Sequence, residues 1–400
     1  MVRIGKTLNV FSESKIVALK GVFDYHSTII PNSDPYFFFV KAIRFLKHFY
    51  FQKISKRFRK KYNFYTYSEK SNYIDPQKLI KYFPFKPDII IIHYQSHFLN
   101  FRTINELQKQ LGCKIIFNML DTAFLTGGCH YSWGCEGFTQ NCENCEAIKV
   151  KAFKQKAFKN LQQKIKYLKG MDYRINASSS WALDQIKRSK LFDVGKSSLI
   201  FYPIDENFFK PHGQKKFGDL DLSNHKVVLV GSQDFKDERK GIKFLMELFE
   251  ILDSKLTEAQ RKELIFLIAG KKNNIPLPIR NFYLGELSIE KLVHAYGIAD
   301  VFLCPSVEDN GPMMINEALM CGTPVVSFKV GIGEDLVSEK TGYLSKKFDS
   351  EDLTHGLIKV LFESDLQKMS SYCRHFALSH YSNEKIKNAW EQLILEYDTI

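Results

Sequence analysis

Twice along this chain, short apolar runs of strand length alternate with longer segments of helical period, and that rhythm leaves few folds open. Pro87–His93 reads as a buried strand, Phe101–Leu111 as a helix and Lys114–Met119 as the next strand. Phe153–Lys169 sets Phe153, Ala157, Leu161, Ile165 and Leu168 at spacings of three and four with lysines between, and Gly170 follows as a helix stop. Tyr173–Ala177 returns as a strand and Trp181–Lys187 as a helix. After Pro211 the pattern restarts, with strands at Lys226–Val230, Leu264–Ala269, Val301–Cys304 and Pro324–Phe328. Helices at Lys240–Leu252, Ile289–Ile298 and Pro312–Met320 separate them. Two β/α series parted near Tyr202–His212 predict an α/β chain of two Rossmann-like, doubly wound domains with parallel sheets. The expected division is 1–205, 206–380 and a C-terminal helix, 381–400, packing back on the first domain. In such sheets ligands bind beyond the carboxyl ends of the strands, so the loops that follow strands are where chemistry is sought.

A chain of 400 residues accommodates two domains, and an apolar share of 44% supplies their cores, which excludes a disordered protein. No apolar run approaches the roughly 18 residues of a membrane span. Met1–Val10 has no basic segment leading into an apolar stretch, so the expected address is the cytoplasm. Charge is divided unevenly. Residues 1–200 hold 33 Lys and Arg against 14 Asp and Glu, a balance of +19, whereas residues 201–400 hold 24 against 30, a balance of −6. The basic half suits an anionic lipid surface, a phosphate-bearing acceptor or nucleic acid.

The loop after the strand at Val301–Cys304 carries the densest chemistry. A polar stretch, Ser306–Gly311, leads into a helix opened by Pro312, a residue favoured in the first helical turn, with Asp309 or Asn310 expected to cap it. A helix N-terminus there offers backbone N–H groups and partial positive charge to an anionic or hydroxyl-rich ligand. Glu317 follows eight residues after Asp309, and a carboxylate can accept two hydrogen bonds from a vicinal diol such as a ribose. Gly331-Ile332-Gly333 forms a second loop at a strand end. Arg239-Lys240-Gly241, downstream of Val230-Gly231-Ser232, adds two cations after another strand.

The run Glu317-Ala318-Leu319-Met320-Cys321-Gly322-Thr323-Pro324-Val325-Val326, preceded by Glu308-Asp309-Asn310-Gly311-Pro312, resembles the C-terminal signature of retaining glycosyltransferases of family four. The resemblance extends over nearly the whole chain, and Tyr296, Ala299 and Asp300 also fit its Tyr-x-x-Ala-Asp pattern. It implies the GT-B fold, with two Rossmann-like domains facing across a cleft. It further implies a metal-independent glycosyl transferase that moves a sugar from a UDP- or GDP-sugar to a lipid-linked or surface-polysaccharide acceptor such as lipopolysaccharide or capsule. On that reading Glu317 holds the ribose, Asp309 with Asn310, Gly311, Pro312, Met313 and Met314 contacts the donor sugar, and Gly231, Arg239 and Lys240 meet the diphosphate. The catalytic set is Asp309, Glu317, Lys240 and Asp121. Three differences stand out. Ser232 and Gln233 occupy the place of the family's arginine, Leu120 that of the histidine before Asp121, and Met1–Val10 reads as the segment after the family's first βα unit. They favour the other reading of the chain, a non-catalytic binding protein of the same fold.

Four of the eight cysteines, Cys129, Cys135, Cys142 and Cys145, crowd into one stretch, spaced C-x5-C-x6-C-x2-C. Four thiolates can close a structural zinc site. Packed free thiols and a disulfide are the alternatives, and a catalytic metal is not expected because four cysteines leave no open position. The stretch resembles a Thr-Gly-Gly-Cys-His-Tyr…Cys…Cys-x-x-Cys motif in the polysaccharide branch of the same family. Asp121 is the acceptor-side candidate in this region, and His130, beside Cys129, reads as a packed or supporting histidine.

Lys41–Tyr62 alternates lysines and arginines with Ile43, Phe45, Phe49, Phe51, Ile54 and Phe58. It fits a basic amphipathic helix on an anionic membrane surface, at the inner face of the cytoplasmic membrane. A core-facing helix accounts for it equally, and nucleic acid is the remaining, weaker partner.

Overall fold

The sequence pattern resolves into two parallel sheets in a computed structural model, which describes residues 2–10, 12–14, 16–18, 27–30, 33–40, 42–43, 46, 58–66, 68–96, 98–271 and 277–398. Most of the basic-aromatic stretch at Lys41–Tyr62, including Lys53, Lys56 and Arg57, lies outside the described residues. The chain divides into two compact units. One comprises Met1–Ser178, Ala182–Ile200 and Ala389–Ile400, the other Ser179–Trp181 and Phe201–Asn388.

In the first unit, β1 (Ile16–Ala18) and β2 (Ser27–Ile29) form a parallel pair. A second sheet runs in chain order through β3 (Ile89–Ile92), β4 (Lys114–Met119), β5 (Tyr173–Ala177) and β6 (Ser197–Leu199), all parallel. β4 is central and buried along Ile115–Met119, as a strand covered on both faces must be. The helix Phe101–Leu111 begins at Asn100, whose side chain accepts the Thr103 N–H, and ends at Gly112 in the left-handed conformation. Ala389–Ile400 joins this unit through Tyr397, whose hydroxyl donates to the Ile115 carbonyl at 3.3 Å.

The second unit holds β9 (Lys226–Ser232), β10 (Leu264–Gly270), β11 (Asn281–Gly285), β12 (Val301–Cys304), β13 (Val325–Phe328) and β14 (Gly342–Ser345), with a short antiparallel ribbon, β7 (Lys216–Phe217) and β8 (Leu220–Asp221), ahead of them. Its sheet order is β11-β10-β9-β12-β13-β14, every pairing parallel. This is the doubly wound dinucleotide-fold order, in which the direction of winding reverses between the first strand and the fourth, here β9 and β12. Asp300 anchors that junction. Its carboxylate accepts the Val227 N–H at 2.7 Å and pairs with Lys215 at 2.7 Å. The Tyr-x-x-Ala-Asp aspartate is therefore scaffold, tying the ribbon and β12 to the start of β9.

Candidate functional site

The switch point between β9 and β12 is where the second unit gathers its cations. After β9, Asp237 caps a single turn, Glu238–Lys240, by accepting the Arg239 N–H at 3.1 Å. Gly241 then reverses the chain at φ +70°, and a Cβ there would come 1.8 Å from the Pro305 carbonyl oxygen. That approach, together with the Val307 N–H donating to the Arg239 carbonyl at 2.8 Å, stitches the cationic turn to the loop after β12. Glycine is required here on both counts, conformation and contact.

Lys240 Nζ lies 2.6 Å from Asp309 Oδ2, and Arg239 Nη1 stands 3.9 Å from the same oxygen. The structure thus brings Arg239, Lys240 and Asp309 together. It corrects the expected cap. Pro312 occupies the N-cap of the helix Met313–Met320, with no side-chain capping bond. Asp309 instead turns to Lys240 and accepts the Gly311 N–H at 3.2 Å. Asn310 is buried, its carbonyl accepting the Ser179 hydroxyl at 2.9 Å. The Gly331 loop lies directly beneath, since a Cβ on Gly331 would fall 2.5 Å from the Asp309 carbonyl oxygen. Gly231, ending β9, faces Met314, whose Cε would stand 2.3 Å from any Cβ there. These contacts place Gly231, Gly311 and Met314 around one loop cluster in the second unit.

Glu317 lies further along the same helix, Met313–Met320, and is 5% exposed. Its Oε2 accepts the hydroxyl of Tyr296 at 3.0 Å. Burial, then the carboxylate beside it, pushes the Tyr296 phenol well above its ordinary range, so the phenol is a fixed donor that orients Glu317. Ser232, in the position of the family's arginine, is buried, and its hydroxyl has no partner among the described residues. Lys347, not singled out from the sequence, lies 3.4 Å from the buried Glu308. No sequence signal marked it, because the pairing depends on where the strand β14 ends.

In the first unit, Asp121 follows β4 and His130 returns to it across the cysteine-rich loop. His130 Nδ1 and Asp121 Oδ2 are 2.6 Å apart, and the other carboxylate oxygen caps the turn Thr122–Phe124. Tyr94, following β3, places its hydroxyl 3.3 Å from His130 Nε2 and stacks on the imidazole with rings 5.4 Å apart and 9° from parallel. His93, next along, accepts a hydrogen bond from the Asn118 amide at 3.0 Å, and burial lowers its pKa to about 3, which keeps it neutral.

Among the described residues no group of three or more His, Cys, Asp or Glu is placed to hold a metal ion. Cys142 Sγ accepts the Gly127 N–H at 3.3 Å, and burial pushes its thiol up to about 12. The interaction of Cys129 with Cys145 holds the Cys129 thiol well above its usual range and that of Cys145 below it. All eight cysteines are free.

The two Rossmann-like units define the GT-B fold, the architecture of many nucleotide-sugar transferases. Residues 215–375 match the family model described as Glycosyl transferases group 1, so the second unit carries a glycosyl transferase group 1 domain. A sulfoquinovosyl transferase, SQD2 of Arabidopsis thaliana, is 27% identical over 184 residues, covering 42% of this chain and 33% of the relative. This chain spans a third to about half the length of the curated relatives it matches, 33% and 52%. Among solved structures, a glycosyltransferase from Rickettsia africae is similar over 99% of this chain and 93% of its own, with TM-score 0.62 and 14% identity. Anabaena Alr3699/HepE in complex with UDP-glucose is similar over 78% of this chain and 79% of its own, with TM-score 0.57 and 15% identity.

Proposed function

We propose that this protein is a retaining glycosyltransferase that moves a sugar from a UDP- or GDP-sugar to a lipid-linked or surface-polysaccharide acceptor. The observation that carries this reading is the Arg239–Lys240 turn stitched onto the Asp309 loop at the switch point of a group 1 domain. In the reading, the donor diphosphate takes over Lys240 and Arg239 from Asp309. The freed carboxylate then faces the donor sugar, together with the backbone of Asn310–Met314. Glu317, oriented by Tyr296, accepts from the ribose hydroxyls. Fixed cations stabilise the leaving diphosphate as its charge develops, and retention follows if the acceptor attacks on the face the diphosphate leaves. Asp121 serves the acceptor side. That HepE was solved with UDP-glucose lends support to a UDP-sugar as the first donor to try.

The decisive experiment offers UDP-, GDP-, ADP- and TDP-sugars to the purified protein and measures release of nucleoside diphosphate and the anomeric configuration of the product. Release from at least one donor, with retention, is expected. Binding of a donor with no release across the panel would leave the chain as a non-catalytic binding protein, and neither binding nor release would remove the reading.

A lipid-linked acceptor would bring the basic first half, at +19, to an anionic surface. Among the described residues no helix is long and apolar enough to cross a membrane, so any attachment through them would be peripheral. Of the six basic residues at the end of the stretch, Arg59, Lys60 and Lys61 are described, and Lys61 Nζ lies over the rings of Tyr62 and Trp133 at 5.2 and 5.3 Å. Salt-sensitive binding to phosphatidylserine vesicles is expected. It should be lost when Lys53, Lys56, Arg57, Arg59, Lys60 and Lys61 are replaced by Gln, at about 1 kcal/mol per charge. Wild-type protein that ignores such vesicles at low salt would remove the membrane part of the reading.

A further inference from the structure

Asp121, His130 and Tyr94 form a hydrogen-bonded chain. A carboxylate only accepts, so His130 Nδ1 carries the proton that meets Asp121 Oδ2 at 2.6 Å. With the imidazole neutral, Nε2 is an acceptor, and the hydrogen of the Tyr94 hydroxyl points to it across 3.3 Å. In that state the phenol oxygen keeps lone-pair capacity but has no proton left to give a ligand. Tyr94 is 42% exposed, while His130 is 2% exposed, so the phenol is the part of the chain that solvent and ligands reach.

The fold holds this arrangement from several sides. The His130 carbonyl accepts from both the Thr122 N–H at 3.0 Å and the Thr122 hydroxyl at 2.9 Å. Its N–H donates to the Tyr62 carbonyl at 3.2 Å. The buried Lys164 ties the intervening loop down through the carbonyls of Ala123 and Thr126 at 2.5 and 2.7 Å. Tyr94 follows β3 and Asp121 follows β4, neighbouring parallel strands, so the chain sits at their carboxyl ends, where α/β sheets bind ligands.

We propose that Tyr94 is a saccharide-contacting residue of the first unit, its phenol oxygen accepting a hydrogen bond from a sugar hydroxyl, with His130 and Asp121 as positioning residues. This rests on the glycosyltransferase reading only in taking the ligand to be the acceptor glycan. The site selects a hydroxyl donor over an anion, because phosphates and carboxylates bring acceptors to an oxygen that cannot donate. It also gives His130 a task that Leu120, in the place of the family's histidine, cannot perform.

The test uses the full chain, as wild type and as Tyr94→Phe, His130→Gln and Asp121→Asn. Equilibrium binding of the methyl glycosides of glucose, mannose and N-acetylglucosamine is followed by NMR of histidine-15N-labelled protein, with inorganic phosphate as competitor and UDP as the donor-side probe. At least one glycoside should bind wild type at millimolar concentration and perturb the His130 Nε2 signal, without competition from phosphate. Tyr94→Phe should weaken it about tenfold. His130→Gln and Asp121→Asn should weaken it in the same direction without touching the sugar, and UDP affinity should hold in all three. Where the wild type turns over, Tyr94→Phe should raise the acceptor KM and leave the donor KM unchanged. Equal glycoside affinity for wild type and Tyr94→Phe, displacement by phosphate, or no glycoside bound by wild type would each overturn the proposal. A loss of melting temperature matched by a loss of UDP affinity in all three variants would reduce the chain of contacts to a structural role. Glycoside binding without any nucleotide-sugar turnover would sink the enzyme reading and leave this inference standing. Turnover with no effect of the three changes would do the reverse.

Discussion

Lys240→Ala should lower kcat by about 10²–10³-fold, the usual cost of removing one fixed group that stabilises developing charge, and should leave the melting temperature close to that of wild type. The side chain is 27% exposed and among the described residues its ion pair is with Asp309, so its loss opens no cavity in the core. Arg239, 3.9 Å from Asp309, remains but is committed to Asp237 at 2.5 Å, and it should rescue little. Lys240→Arg should recover part of the rate, because charge is kept while the point-like ammonium is replaced by a planar fork. The measurement is steady-state release of nucleoside diphosphate on the best donor, alongside thermal unfolding. A Lys240→Ala protein with wild-type kcat would remove the diphosphate role from this turn.

The second large effect is on stability. Lys164→Met should destabilise the first unit by about 1–3 kcal/mol, since the buried carbonyl of Thr126 loses its donor while that of Ala123 keeps only the longer bond from Gln95 Nε2 at 3.4 Å. Met keeps the length and the apolar stem, so the change isolates the hydrogen bonds from the cavity that Ala would leave. Lys164 is fully buried, and burial lowers its pKa, an effect that the buried Glu69 opposes. Urea unfolding followed at the first unit's own transition is the measurement, because a chain of two units need not unfold in one step. A midpoint unchanged from wild type would mean that the Asp121–His130 loop is held by its other bonds alone.

The loops after β9 and β12 were legible because their determinants are local. Gly241, Pro312 and the run Glu317–Val326 act within a few residues of themselves, and a β/α alternation with turn residues at strand ends carries a parallel sheet with it. Strand β4 and the helix Phe101–Leu111 fall on the residues expected, since both have dense apolar periodicity and clear stops. What the pattern could not supply was a partner for each polar side chain. Asp309 as a helix cap was a sound local expectation, but a cation from a loop about 70 residues away in sequence outbids a backbone N–H for the same carboxylate.

The same division runs through the first unit. Apolar period placed a helix over Phe153–Lys169 with lysines between its apolar positions, and the structure has it at Gln155–Leu168, yet one of those lysines, Lys164, faces inward. Nothing in a repeat of three and four distinguishes a lysine that meets water from one that meets two carbonyls of a tight loop. Cysteine spacing proposed a metal centre, but spacing could not show that Cys142 takes a backbone N–H on its sulfur. Asp121 and His130 are nine residues apart, and only the fold of the loop between them makes them a pair with Tyr94. By itself, then, the sequence determined the two β/α series, most of their strands and the motif of the loop after β12, because hydrophobic period and glycine and proline chemistry are short-range. Tertiary structure decided which charged and polar groups meet, because those contacts join residues that only the parallel sheets bring to the same strand ends.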